Sequence, residues 1–148
     1  MTIWVDADAC PKAIKEVLCK AANRVQLPLI FVANQYLHLP KSTWIQCRQV
    51  EQGFDVADDY IVQQVNAGDL VVTQDIPLAA ELIAKGAVVI NTRGEALDQQ
   101  NIKQRLNMRD FMETMRASAV EMRGGPAPFS AKDKQQFANA LDRYLAKR

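Results

Sequence analysis

A single histidine, His38, occurs in the 148 residues, so a Ser/His/Asp triad would have to depend on it, and no GxSxG elbow carries a nucleophile. The three cysteines, Cys10, Cys19 and Cys47, are odd in number and form no CxxC. Neither a disulfide framework nor a zinc knuckle is indicated, and a reducing cytoplasm is the expected setting. No apolar run approaches membrane-spanning length, and residues 1–9 lack the basic start, apolar stretch and cleavage site of a signal peptide; a soluble protein is expected. Walker A and GxGxxG sequences are absent, which removes nucleotide binding through a glycine loop. Aromatic residues make up 7% of the chain and form no stacking platform, so little base specificity is expected.

What is present is an apolar fraction of 49%, ample for one core, and a length that suits one domain over residues 1–148. The net charge of +1 hides an asymmetry. Residues 1–100 carry 8 Lys/Arg against 12 Asp/Glu, whereas residues 101–148 carry 10 against 5. A basic C-terminal part beside an acidic region suits a polyanion bridged by metal; an ordinary solvated helical surface would give the same imbalance.

Ile3-Trp4-Val5 reads as a strand that stops on acidic residues. Pro11 then opens a helix in which Ile14, Val17, Leu18 and Ala21 recur on one face. Leu29–Val32, Trp44–Val50, Leu70–Thr73 and Ala87–Ile90 are further strands, with helices expected from Asp55 toward Gly68 and from Pro77 to Gly86. Strands alternating with helices predict an α/β fold: three layers, a mostly parallel central sheet and right-handed crossovers. From Leu97 the chain reads as a basic helical C-terminal extension over 97–148. It is broken at Gly124-Gly125-Pro126 before a last helix from Ser130 to Ala146, and Met108, Met112, Met115 and Met122 with Phe111 form a packing face.

Ligands in such folds sit beyond the C-terminal ends of the strands. Asp6 and Asp8 follow the first strand, two apart and facing the same way; Asp75 follows the Leu70–Thr73 strand; Asp58 and Asp59 lie in a first helical turn. Carboxylates gathered at one edge repel unless a cation compensates, and hard oxygen donors select Mg²⁺ or Mn²⁺ over zinc. Each has a plain alternative: Asp55 and Asp75 as helix caps, Asp58 as a favourable first-turn acid, Asp8 as a turn former. Asp6 has none, since it ends an apolar strand and directly precedes no helix. Cys10, beside a helix start, is read as a small buried cysteine rather than a reactive one.

Asp6-Ala7-Asp8-Ala9-Cys10-Pro11, Ala57-Asp58-Asp59-Tyr60-Ile61, Val72-Thr73-Gln74-Asp75-Ile76-Pro77-Leu78-Ala79, Asn91-Thr92-Arg93-Gly94 and Gly124-Gly125-Pro126 resemble the signature blocks of the bacterial YaiI/YqxD family. That family is similar to PIN-like domains, a superfamily of metal-dependent ribonucleases. The resemblance implies a PIN-like fold and a Mg²⁺ or Mn²⁺ site held by Asp6, Asp58 or Asp59, and Asp75, with Asp8 as an added ligand. Where a PIN domain has a fourth acidic position, this chain offers Asn91 and then Glu95. A nuclease of this type would use Asp6 and Asp75 as central ligands to activate water against a phosphodiester, RNA in preference to DNA. Thr73, Gln74 and Asn91 would serve the substrate or metal-bound water, and Lys12, Arg93 and Arg123 the phosphates. Two rivals are a non-catalytic RNA- or partner-binding module on the same frame and a haloacid-dehalogenase-type phosphatase using Asp6 and Asp8. In the second, the acidic pair should follow the strand-end Thr, but Asp58-Asp59 precedes Thr73.

Overall fold

The computed structural model describes residues 1–7, 10–53, 56–104 and 131–146. Six strands form one sheet: β1 (Ile3–Asp6), β2 (Leu29–Ala33), β3 (Ile45–Gln49), β4 (Leu70–Val72), β5 (Val88–Ile90) and β6 (Ala96–Leu97). Their order is β3-β2-β1-β4-β5-β6. All neighbours are parallel except β5 and β6. The described helices of a turn or more beyond residue 11 are α1 (Lys12–Val25), α2 (Val56–Gln64), α3 (Ile76–Ala84) and α4 (Ala131–Ala146). The expected α/β architecture is therefore present, with a helix at the C-terminal end. The expected 108–122 packing face and the Gly124-Gly125-Pro126 break lie outside the described residues.

Period-two alternation divides the strands between two cores. Ile3, Val5, Phe31, Leu70 and Val72 point to one face, where Ile14 and Leu18 of α1 and Phe137 and Leu141 of α4 meet them. Trp4, Ile30, Val32, Val71 and Val89 point to the other, under Ile61 of α2 and Leu78 and Leu82 of α3. Strands buried on both faces account for the apolar runs read from the sequence. Because β1 is followed by α1 and β2 on one side while β4, its other neighbour, leads through α3 to β5, the winding reverses between β1 and β4. That reversal opens a crevice beyond the carboxyl ends of these two strands.

Two local differences from the sequence reading have physical causes. Helix α2 ends at Gln64 instead of running toward Gly68. The Asn66 N–H donates to Asp69 Oδ2 at 3.0 Å, and the Lys85 ammonium donates to the Val62 carbonyl, so both halves of the next helical bond are taken. Leu97 begins no helix but lies in β6, antiparallel to β5 with Val89 opposite Leu97; a two-residue strand has no alternation to detect. In keeping with the sequence reading, β2 and β3 are joined through residues 34–44 with no helix.

Candidate active site at the β1/β4 edge

Asp6 is the last residue of β1, half-buried at the crevice. Val5 pairs with Val72 across the β1/β4 junction, which brings Thr73 level with Asp6. Thr73 is 1% exposed, and its backbone N–H donates to the Ile90 carbonyl at 3.2 Å. Its hydroxyl donates to Asp6 Oδ2 at 3.2 Å and accepts the Asp75 N–H at 3.0 Å. One buried hydroxyl thus links the Asp6 carboxylate to the backbone of Asp75.

Asp75 also caps α3, its Oδ1 accepting the Leu78 N–H at 3.0 Å, with Pro at the start of the helix. The capping role and a position beside Asp6 are compatible, because a carboxylate has acceptor capacity on two oxygens. Asp58 and Asp59 stand in the first turn of α2, half-buried and exposed respectively. Helix α2 packs over β1 and β2, on the face of the sheet that it shares with α3. Among the described residues, no three His, Cys, Asp or Glu side chains stand close enough to hold a metal ion. Asp8 lies outside the described residues. Carboxylate and hydroxyl oxygens are hard donors of the kind that Mg²⁺ or Mn²⁺ takes, and Asp6 and Asp75 are the described carboxylates beside β1 and β4 that could contribute to holding such an ion.

The polar residues of the neighbouring β5–β6 turn are tied mainly to one another. Asn91 Oδ1 accepts the backbone N–H of Arg93 at 2.9 Å and of Glu95 at 3.0 Å, closing the turn. Its Nδ2 donates to Glu95 Oε1 at 3.4 Å. Gln74 Nε2 donates to Thr92 Oγ1, joining the ends of β4 and β5. Arg93 is half-buried in this turn, and Lys12 is exposed in the first turn of α1. Arg123 lies outside the described residues. Gly94, at φ 82°, abuts α4 so closely that a Cβ would come within 2.6 Å of the Gln136 carbonyl oxygen, which is why glycine stands in this motif.

Cys10 is buried, and its thiol is pushed up to about 12, chiefly by burial; Lys15 works against this, while Asp6 and Cys19 add to it. It is not an activated nucleophile. The carboxylate that the sequence reading missed is Asp69, 5% exposed. It accepts the Thr2 N–H at 3.0 Å, the Trp4 indole N–H at 3.2 Å and the Asn66 N–H at 3.0 Å. It anchors β1 to β4 at the edge away from the crevice, and the signal for it was Trp4, whose core indole needs an acceptor.

Residues 4–147 match a family model described as "Uncharacterized BCR, YaiI/YqxD family". The chain is 60% identical over 147 residues to "UPF0178 protein" of Cellvibrio japonicus, covering 99% of this chain and 97% of that one. Against the protein of the same name from Hahella chejuensis it is 62% identical over the same shares. Against that from Cronobacter sakazakii it is 59% identical, over 100% and 97%. No solved structure matches the chain. With near-complete coverage on both sides and the same family description over residues 4–147, the chain belongs to the YaiI/YqxD family.

Proposed function

We propose that the protein is a metal-dependent, nuclease-like protein that acts on phosphodiesters, RNA in preference to DNA, through aspartates at the β1/β4 edge. The observation that carries this reading is the unit in which the Thr73 hydroxyl donates to Asp6 and accepts the Asp75 N–H. Thr73 fixes the Asp6 carboxylate from a buried position. Asp75 is held by the α3 terminus it caps. Mg²⁺ or Mn²⁺ held by Asp6 and Asp75, with Asp8 and one of Asp58 and Asp59 completing the set, would supply an acidified water and offset charge on the leaving oxygen. Gln74 would orient a phosphate oxygen, and Lys12 and Arg93 would hold flanking phosphates. The PIN-like kinship suggested by the sequence is part of this proposal.

The test is cleavage of mixed single-stranded and structured RNA and DNA with Mg²⁺ or Mn²⁺, by wild type, Asp6→Asn and Asp75→Asn. Asparagine keeps the cap of α3, so loss in Asp75→Asn reports on chemistry and not on folding. Cleavage should require metal and fall at least about 100-fold in both variants, of the order seen when one group essential to catalysis is removed. Cleavage that persists in both variants would rule the reading out. A melting scan gives a second readout, since an ion binding only the native state raises stability, by about 2.7 kcal/mol at a hundred times its Kd.

A second reading, a non-catalytic RNA-binding module on the same frame, is favoured by two observations. Among the described residues no ready-made cluster of three metal ligands occurs, and Asn91, where a fourth acid would stand, is bound into its own turn. RNA binding without turnover, unchanged in Asp6→Asn, is its signature.

A further inference from the structure

We propose that the groove between α1 and the helix-free 34–44 connection is the path of a single-stranded polynucleotide, whose phosphates are held by Lys12, Lys15 and Lys20. This deepens the proposed function by naming where its substrate lies. The groove encloses about 490 Å³ and is lined by Lys12, Lys15, Glu16 and Lys20 of α1 and by His38 and Leu39 of the connection, among others.

The groove exists because the chain passes from β2 to β3 without a helix. A helix there would pack beside α1 and fill this space; an extended crossover leaves one flank of α1 open. Residues 12, 15, 16, 19, 20 and 23 recur at helical spacing along that flank. Its N-terminal end, Lys12, stands just after the β1 edge that carries Asp6, and its far end at residue 23 lies roughly 16 Å along the helix axis. That is a run of a few nucleotides leading away from the candidate centre.

The lining chemistry suits a nucleic-acid strand. Three lysines oppose one glutamate, and no hydrogen bond or ion pair to another described residue holds Lys12, Lys15 or Lys20. Lysine stems and Leu39 give the floor an apolar character that accepts sugars and base edges, while the ammonium groups reach to the rim. Such a lining binds by charge with little base reading, as a strand tracked along its backbone requires.

The experiment is fluorescence anisotropy of a labelled oligouridylate in EDTA, across a salt series, with wild type, Lys15→Ala/Lys20→Ala and the control Lys85→Ala/Lys103→Ala. The control removes equal charge: Lys85 follows α3 and Lys103 follows Ile102, both belonging to the opposite face of the sheet. Melting curves establish that each variant is folded. Loss of both groove lysines should weaken binding about tenfold and reduce the slope of log Kd against log salt by roughly 1 to 1.5, with the control close to wild type. A groove variant that binds like the control overturns the proposal, as does wild type that binds no RNA. Selective loss of poly-glutamate binding, with RNA binding untouched, would assign the groove to acidic peptides and overturn it too. Groove-dependent binding with no cleavage under Mg²⁺ or Mn²⁺ sinks the nuclease reading and leaves the groove in place.

Discussion

Thr73 is the residue on which most of the candidate site turns. Its hydroxyl is buried, donates once and accepts once, so replacing it by valine removes a hydrogen bond to Asp6 and strands the Asp75 N–H. Thr73→Val should cost about 1–3 kcal/mol in urea unfolding, and Thr73→Ser, which keeps the hydroxyl, distinctly less. If both variants are equally destabilised, the hydroxyl is not what matters. Cys10 gives a pH-dependent prediction. Its thiol is raised from the usual 9.0 to about 12, and those of Cys19 and the Tyr144 phenol are also raised, burial being the first cause in each case. Groups that ionise more readily unfolded than folded contribute stability that is complete below the unfolded pKa and is lost as pH rises toward the folded one. Stability should therefore decline from about pH 9 upward, and Cys10→Ala should flatten that decline. In native protein at pH 8, iodoacetamide should label the half-buried Cys47 well before Cys10.

Among the elements, strands buried on both faces were legible from composition alone, since Ile3–Val5, Leu29–Val32, Leu70–Val72 and Val88–Ile90 are short runs of aliphatic and aromatic residues. Helix α1 was legible from its periodicity. Asp6 and Asp75 could be placed because the strands that precede them could be placed. What remained hidden depended on partners distant in sequence. The early stop of α2 is set by Asp69 and Lys85, and β6 exists through pairing with β5 rather than any propensity of Ala96-Leu97. Asn91-Thr92-Arg93-Gly94, recognised as a block, proves to be a turn that fits under α4. Gly94→Ala should therefore destabilise by about 2–4 kcal/mol, combining a left-handed backbone position with overlap on Gln136. Thermal unfolding checks this; a change under 1 kcal/mol would mean that α4 yields easily.

At the scale of the whole molecule, α4 is part of the core and not an appendage. Phe137, Leu141 and Leu145 are within 3% of complete burial and belong to the same cluster as β1, β2 and α1. Ending the chain at residue 130 should abolish the cooperative melt and expose dye-binding apolar surface, whereas Arg24→Ala should change stability by less than about 1 kcal/mol. The reason is that the Arg24–Asp142 pair, at 2.7 Å, has side chains 61% and 56% exposed.

The bond from the Trp4 indole to Asp69 joins residues 65 apart in sequence, and β1 pairs with β4 only after α1, β2, β3 and α2 have been looped out between them. Closing that loop has an entropic cost that must be met before the crevice can form, so the β1/β4 junction sets the tempo of folding. The indole sits on the closure itself. In a stopped-flow refolding experiment on Trp44→Phe, which leaves Trp4 as the sole indole, fluorescence should change in the slow step, after helical circular dichroism has largely returned, so the two halves of the candidate centre would be the last neighbours to meet.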